Sequence, residues 1–303
     1  QYMSTKIRIF DDDIDSYRVL FDGSDIQVVS HEEPTEVILG QPGLVATALP
    51  RVPIPTWVQS TWAGIDPLVQ TARQLGITVT GLQGVFGTLI AEYVFARLLA
   101  EVRHTTHYAE AQRKRTWSAD WPDTLRGQTI CIFGTGSIGS EIARTAKHFF
   151  MHTHGISLRG SPNEWFDSSY QISEAEAALN GAHWIIAALP FTPGTKKLID
   201  SKCFSLMDRN ATFINVGRSG TVDNDALVQC LVQGRLKQAQ LDVFEEEPLS
   251  PHSHWWNIPN LTITPHISGV SYPADVVSVF RKNLRKFQAG ETLQGLIDLE
   301  RGY

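Results

Sequence analysis

TICIFGTGSIG, residues 129–139, decides the fold. Its first five residues are apolar or β-branched and suit a short strand buried on both faces. A GxGxxG turn follows, and Ile138, Ile142 and Ala146 then recur on one side of a helix expected over Ser137–Phe150. A strand, this turn and a helix in that order are the context in which the three glycines have separate jobs. Gly134 permits the tight turn, Gly136 lets a pyrophosphate approach the backbone, and Gly139 lets helix and strand pack closely. The N–H groups at the helix start, at Ser137 and Ile138, face the phosphates with the positive end of the helix dipole. Gly134, Gly136, Ser137, Ile138 and Gly139 are therefore expected to bind a dinucleotide.

Outward from this turn, strands are expected near Thr153–Leu158, His183–Leu189, Ala211–Val216, Gln238–Val243 and Leu261–Thr264. Helices fill the gaps near Ser173–Leu179, Ser201–Met207 and Asp223–Gln233, the last capped by Asp223 or Asn224 and ended by Gly234. Strand–helix alternation at this spacing implies a parallel sheet with helices on both faces, wound right-handed into a doubly wound α/β fold. Upstream, Lys6–Phe10, Ile26–Ser30, Leu44–Leu49, Thr56–Thr61 and Ile77–Gly81 read as strands of a smaller α/β unit, with a helix over Pro67–Leu75. Thr88–Arg115 reads as one long helix joining the two units. Pro273–Ala289 is helical again, with Val276, Val277, Phe280, Leu284 and Phe287 on one face, and is expected to return to the first unit. The expected domains are 1–92 with 273–303, and 93–272 between them. A length of 303 residues fits two domains of roughly 100–200 residues each.

Composition excludes several classes. The net charge of −6 argues against nucleic acid or an anionic membrane as partner. No apolar run approaches the ~20 residues of a membrane span, and no signal pattern opens the chain. Cys131, Cys203 and Cys230 form no CxxC or Cys/His cluster, so no metal is expected, and reduced thiols suit the cytoplasm.

The strand after the glycine turn discriminates between dinucleotides. An NAD site wants a carboxylate about 20 residues on, for the adenosine ribose hydroxyls. Here the strand ends Gly155-Ile-Ser157-Leu-Arg159, and no carboxylate occurs until Glu164. A hydroxyl at Ser157 and a guanidinium at Arg159 suit a 2′-phosphate, which Arg binds in bidentate fashion. NADPH is expected in preference to NADH.

Three charged or titratable residues fall after strands of the second unit, at the carboxyl edge where doubly wound sheets bind ligands. Arg218 follows Asn215-Val-Gly217, Glu247 lies in LDVFEEEP (241–248), and His266 follows Thr262-Ile-Thr-Pro265. Reducing a 2-oxo acid requires a cation to hold its carboxylate and polarise the carbonyl, an acid for the oxygen, and a neighbour that keeps the acid protonated. Arg218, His266 and Glu247 meet these needs in turn. The residues alone leave the acid open among ten histidines. Of these, His183 reads as packed inside a strand, and His104, His107, His148, His152 and His154 sit on helical or turn positions without a carboxylate partner.

GTGSIG (134–139), NVGRSGTVDNDAL (215–227), LDVFEEEPL (241–249) and PNLTITPHISG (259–269) together resemble the D-isomer-specific 2-hydroxyacid dehydrogenases. Within that family the chain looks like the glyoxylate/hydroxypyruvate reductase A group, including its terminal Arg301-Gly-Tyr303. The resemblance implies two Rossmann/flavodoxin-like doubly wound parallel-sheet domains, the dinucleotide-binding one inserted into the substrate domain. It implies Arg218, Glu247 and His266 as catalytic residues, Glu247 being the Glu that precedes Pro248. It further implies that Asp242 holds the nicotinamide carboxamide and that Leu189 and Pro190 line the cofactor cleft. QSTWAGID (59–66) resembles the family's carboxylate-binding loop, which implies backbone N–H groups of Ala63 and Gly64 on the substrate beside Arg218. Trp62 in that loop and Trp117 past the long helix read first as core or interface packing; the other readings are that Trp62 restricts substrate size and that Trp117 reaches across a dimer. A homodimer through the inserted domain and its long helix is implied by the resemblance too. Ser219 departs from the pattern, which has Gly there; a positive φ at this residue would strain the loop. A formate dehydrogenase-like enzyme on the same fold would make Glu247 dispensable. A cofactor-sensing binding protein would carry an added interaction segment.

Overall fold

Five parallel strands build the first sheet, in the order β2-β1-β3-β4-β5. They are β1 (Thr5–Phe10), β2 (Ile26–Val28), β3 (Val37–Gly40), β4 (Trp57–Ser60) and β5 (Thr78–Thr80). This is the doubly wound order of flavodoxin-like domains. The computed structural model describes residues 4–302, so Tyr303 of the matched terminus lies outside the described residues. The chain divides into two units, 1–86 with 270–303, and 87–269, a few residues short of the junctions expected from sequence.

In the first unit, helices α1 (Ile14–Phe21), α2 (Pro42–Ala48), α3 (Asp66–Leu75) and α10 (Pro273–Gln288) cover the sheet. Phe10, Ile38, Val58, Leu68 and Val79 form one core cluster. Elsewhere Trp57 stacks on Phe280 of α10 at 5.5 Å, and Phe21 of α1 meets Phe280 edge-on at 5.7 Å. The apolar stripe of the last helix thus packs within the first unit.

One expectation fails in this unit. Leu44–Leu49 is not a strand but lies mostly in α2. Pro42 opens that helix, and the buried residues Pro42, Val45 and Leu49 are spaced three and four apart, a helical period. The strand in its place is β3, a four-residue buried run too short to carry a period.

The second unit holds seven parallel strands in the order β12-β11-β10-β9-β6-β7-β8. They are β6 (Thr129–Phe133), β7 (His152–Ser157), β8 (Ser168–Gln171), β9 (Trp184–Ala187), β10 (Thr212–Asn215), β11 (Gln238–Leu241) and β12 (Leu261–Ile263). Counted from β6, this is the dinucleotide-binding order 3-2-1-4-5-6 with one strand added, and the order reverses at β6. Phe133 pairs with Ile156 on one side and Ala187 on the other. Helices α4 (Phe86–Val102), α5 (Thr105–Arg113), α6 (Ser137–His148), α7 (Ala175–Leu179), α8 (Ser201–Leu206) and α9 (Asn224–Val232) complete the chain order. Phe133, Ile185, Phe204, Phe213, Leu227 and Leu241 anchor the core, with Phe204 edge-on to Phe213 at 5.5 Å. Each such side chain contributes about 1.5–3 kcal/mol on full burial.

Here too the sequence reading needs correction. Thr88–Arg115 is not one helix. The chain turns at His104, whose φ of 52° is left-handed, a conformation that ends helices, and α5 starts at the β-branched pair Thr105-Thr106. His183 is exposed, not packed. It precedes β9, and its Nδ1 accepts a hydrogen bond from the Thr129 amide at 3.2 Å. The edge strand β8 is polar and half-exposed, which hides it from hydrophobic patterning. Asp223 caps α9 by accepting from the Ala226 amide at 3.5 Å, and Gly234 follows with a positive φ. Cys131, Cys203 and Cys230 are free. Burial pushes the thiol of each up, that of Cys131 most, with the neighbouring Cys203 adding to it. Among the described residues no helix is long and apolar enough to cross a membrane.

Candidate active site

Parallel strands all present their carboxyl ends to one edge, so neighbouring strands deliver their following loops side by side, about 4.8 Å apart. In the second unit β6 is followed by the glycine turn, β9 by Leu189-Pro190, β10 by Arg218, β11 by Asp242 and Glu247, and β12 by His266. Ser157 ends β7, with Arg159 just beyond. One sheet edge therefore carries every candidate of this unit.

The glycine turn is close-packed against its neighbours at two of its three glycines. Gly134 has φ 103°, and a Cβ there would lie 2.6 Å from the Ala188 carbonyl oxygen at the end of β9. A Cβ on Gly139 would sit 1.8 Å from the Gly134 carbonyl oxygen, so helix and turn touch backbone to backbone. Around Gly136 a Cβ would meet nothing within 4 Å, which leaves the space a phosphate needs. No side chain among the described residues caps α6, so the first N–H groups, at Ser137 and Ile138, remain for a ligand. These residues fit a dinucleotide pyrophosphate. Ser157 Oγ accepts from the Gly160 amide at 3.1 Å and shapes the turn that presents Arg159, whose side chain is exposed.

The Arg218 loop is held by its own backbone partners. Asn215 accepts from the Gly217 amide at 3.0 Å, and Thr221 Oγ1 donates to the Arg218 carbonyl at 2.7 Å. A Cβ on Gly217 would approach the Leu189 carbonyl oxygen to 2.7 Å, and one on Gly220 would strike the Phe191 ring at 2.6 Å. The loop after β9 and the loop after β10 thus pack on each other. Ser219 begins a short 3-10 turn, is buried, and lies outside the left-handed region, so the residue that departs from the pattern carries no backbone strain. Its hydroxyl accepts from Asn224 Nδ2 at 3.0 Å, and the same amide donates to Glu245 at 3.3 Å.

Glu247 and His266 are in direct contact, Oε2 to Nδ1 at 2.6 Å, both about one-third exposed. The other oxygen of Glu247 accepts from the Phe244 amide at 2.8 Å. Glu247 is thereby fixed in rotation and fixes the imidazole in turn, leaving Nε2 as the nitrogen turned from it. His266 itself has φ 54°, an uncommon conformation for a residue with a Cβ.

Asp242 is fully buried. One oxygen accepts from Thr264 Oγ1 at 2.6 Å and the Ile267 amide at 2.9 Å, the other from the Ser268 amide at 2.8 Å. Its carboxylate is engaged with the His266 loop, a set of partners invisible in the sequence. Tyr93 of α4 extends the set, with its Oη 2.6 Å from Thr264 Oγ1. The one signal for it was a tyrosine on the apolar side of a helix.

In the first unit, the loop after β4 carries Trp62, Ala63 and Gly64. Ser60 Oγ accepts from the Trp62 amide at 3.0 Å and donates to its carbonyl at 2.8 Å. Trp62 is 44% exposed, Ala63 is exposed and Gly64 half-buried. Trp117, by contrast with a packed residue, is 97% exposed.

The model of the NAD-binding domain of D-isomer specific 2-hydroxyacid dehydrogenases matches residues 95–268. Glyoxylate/hydroxypyruvate reductase A of Yersinia enterocolitica is 29% identical, covering 80% of this chain and 79% of its own. A D-isomer specific 2-hydroxyacid dehydrogenase family protein from Aeromonas salmonicida is 33% identical with a TM-score of 0.90, covering 98% of this chain and 99% of its own. The D-isomer specific 2-hydroxyacid dehydrogenase of Xanthobacter autotrophicus, solved with NADPH and MES, is 26% identical with a TM-score of 0.84, covering 99% of this chain and 100% of its own.

Proposed function

This chain belongs to the D-isomer specific 2-hydroxyacid dehydrogenase family, and on that footing we propose that it reduces a small 2-oxo acid of the glyoxylate/hydroxypyruvate class, preferring NADPH. The observation that carries the reading is the 2.6 Å pair of His266 and Glu247, delivered after β12 and β11, in the same sheet as β10, which delivers Arg218. The Yersinia relative bears the name of such a reductase, and the Xanthobacter structure was solved with NADPH.

The bound cofactor supplies the hydride. Arg218 holds the substrate carboxylate and draws electron density from the carbonyl, where negative charge grows in the transition state. His266 gives the oxygen its proton from Nε2, while Glu247 on Nδ1 stabilises the imidazolium and sets the ring's orientation. In the reverse direction neutral His266 takes the alcohol proton. Ala63 and Gly64 offer backbone N–H groups to the substrate, and Trp62 limits its size. Gly134, Gly136, Ser137, Ile138 and Gly139 would hold the pyrophosphate, Leu189 and Pro190 would line the cofactor cleft, and Asp242 would hold the nicotinamide carboxamide. The first unit serves as the substrate domain and the second as the cofactor domain. We read the working species as a cytoplasmic homodimer. Trp117 and Trp121, 97% and 93% exposed after α5, are apolar surface of the kind a second copy covers.

The test follows NADPH absorbance with glyoxylate, hydroxypyruvate and pyruvate in parallel, and formate with NADP⁺. Turnover of an oxo acid is expected and formate oxidation is not. Silence toward all three oxo acids would leave a cofactor-binding protein, and formate oxidation a different chemistry.

Cofactor preference has its own test. Arg159→Ala removes a charge-assisted contact worth about 1.5–3 kcal/mol. The KM for NADPH should rise roughly 10–100-fold at ~1.4 kcal/mol per decade, with little change for NADH. A wild-type preference under about threefold, less than 1 kcal/mol, would contradict the assignment.

A further inference from the structure

We propose that Tyr93 of α4 is a positioning residue for His266, acting through the hydroxyl of Thr264 and the buried carboxylate of Asp242. The inference rests on His266 being the proton donor of the proposed reaction.

His266 sits at the crest of a short loop. Its φ of 54° is costly for a residue with a Cβ and persists only where neighbours over-determine it. Asp242 provides that determination. It gathers Thr264 from before the histidine, and Ile267 and Ser268 from after it, onto two carboxylate oxygens. The loop is thus pinned on both flanks by a residue that is 0% exposed.

The donor directions along the chain follow from valence. A carboxylate only accepts, so the single proton of the Thr264 hydroxyl points to Asp242. Thr264 Oγ1 is left as acceptor, and Tyr93, 2.6 Å away, must donate to it. Burial, with Asp242 adding to it, pushes the Tyr93 phenol up, against the pull of its bond to Thr264, and keeps it a donor. Donation into the Thr264 oxygen polarises its O–H and strengthens the bond to Asp242, as chained hydrogen bonds do in low dielectric. The guanidinium of Arg97, 5.0 Å from the Tyr93 ring centre, lies over that ring from the next turn of α4. A rigid helix is in this way coupled to the placement of an imidazole nineteen residues from its carboxylate partner.

Four variants test the chain: Tyr93→Phe, Thr264→Val, Thr264→Ser and the double variant Tyr93→Phe/Thr264→Val. Three readouts are taken: kcat at saturating cofactor, the Kd for NADPH by its fluorescence, and hydrogen exchange at the Ile267 and Ser268 amides. The Ile185 and Ile186 amides of β9 serve as the control for global opening. Thr264→Val is expected to lower kcat about tenfold, Tyr93→Phe about three- to tenfold, and Thr264→Ser less than about twofold, because only the serine keeps the hydroxyl. Cofactor Kd should stay within about twofold throughout. Exchange at residues 267 and 268 should quicken about tenfold in Tyr93→Phe and Thr264→Val while the β9 control holds. The double variant should be no worse than Thr264→Val alone, since the two hydroxyls act as one path. Equal further loss in the double variant, or unchanged exchange at 267 and 268 in Tyr93→Phe, overturns the proposal. If the unaltered protein reduces no oxo acid, the reaction assignment has failed, and the exchange arm still decides whether Tyr93 orders this loop.

Discussion

Replacing His266 with alanine is expected to lower kcat for oxo-acid reduction by about 10²–10⁴, the scale on which a positioned general acid contributes, with NADPH affinity nearly unchanged. The reasoning is local. The imidazole stands 2.6 Å from Glu247, which holds it in a fixed orientation. The glycine turn follows β6, four strands along the sheet from β12, so binding and chemistry should separate. Glu247→Gln should show the same separation with a smaller loss, because the amide still holds the ring but no longer stabilises its charge. Stopped-flow kinetics with saturating NADPH and a fluorescence titration of the nucleotide give the two numbers. A kcat loss of tenfold or less in His266→Ala, about 1.4 kcal/mol, would mean that another group protonates the oxygen.

Gly139→Ala is expected to abolish nucleotide binding and to destabilise the second unit, whereas Gly136→Ala should fold normally and still bind poorly. A Cβ at residue 139 would lie 1.8 Å from the Gly134 carbonyl oxygen and 2.9 Å from its carbon. Both are backbone atoms in a turn that itself abuts β9, so neither can step aside cheaply. Overpacking of this kind costs typically 1–3 kcal/mol, and the helix must move off the turn whose N–H groups are proposed to hold the phosphates. At residue 136 the added methyl meets no protein atom within 4 Å. What it would meet is the phosphate of the proposed cofactor. Melting temperature and NADPH titration distinguish the pair: lowered Tm and lost binding for the first, unchanged Tm and an affinity at least about tenfold weaker for the second. Native affinity in Gly136→Ala would place the phosphates elsewhere.

The central strands of the second sheet were legible because they are buried on both faces, so TICIF, WIIA and TFIN announce themselves. The first unit was less so. Val37–Gly40 and Leu44–Leu49 are adjacent apolar runs of similar length, and only the tertiary core shows that the second packs in steps of three and four. The helix break at His104 rests on one backbone angle, which composition does not encode. In the site, the residue types and their order after successive strands were readable. The anchoring partners were not: Asp242 meets Ile267 and Ser268 through backbone amides, and amides leave no mark in a sequence. Tyr93 reads as one more large residue on a helix until its hydroxyl is seen against Thr264.

The strand β12 that carries His266 to its place is three residues long, stands at the rim of the seven-stranded sheet and pairs on one side only. The glycine turn follows β6, which has a neighbour on each side. Rims of sheets open locally at far lower free energy than their interiors. Warming the protein should therefore silence it in two stages, with proton delivery fading while the nucleotide still has its seat. A loss of catalysis in this enzyme is not by itself a sign that the fold has gone.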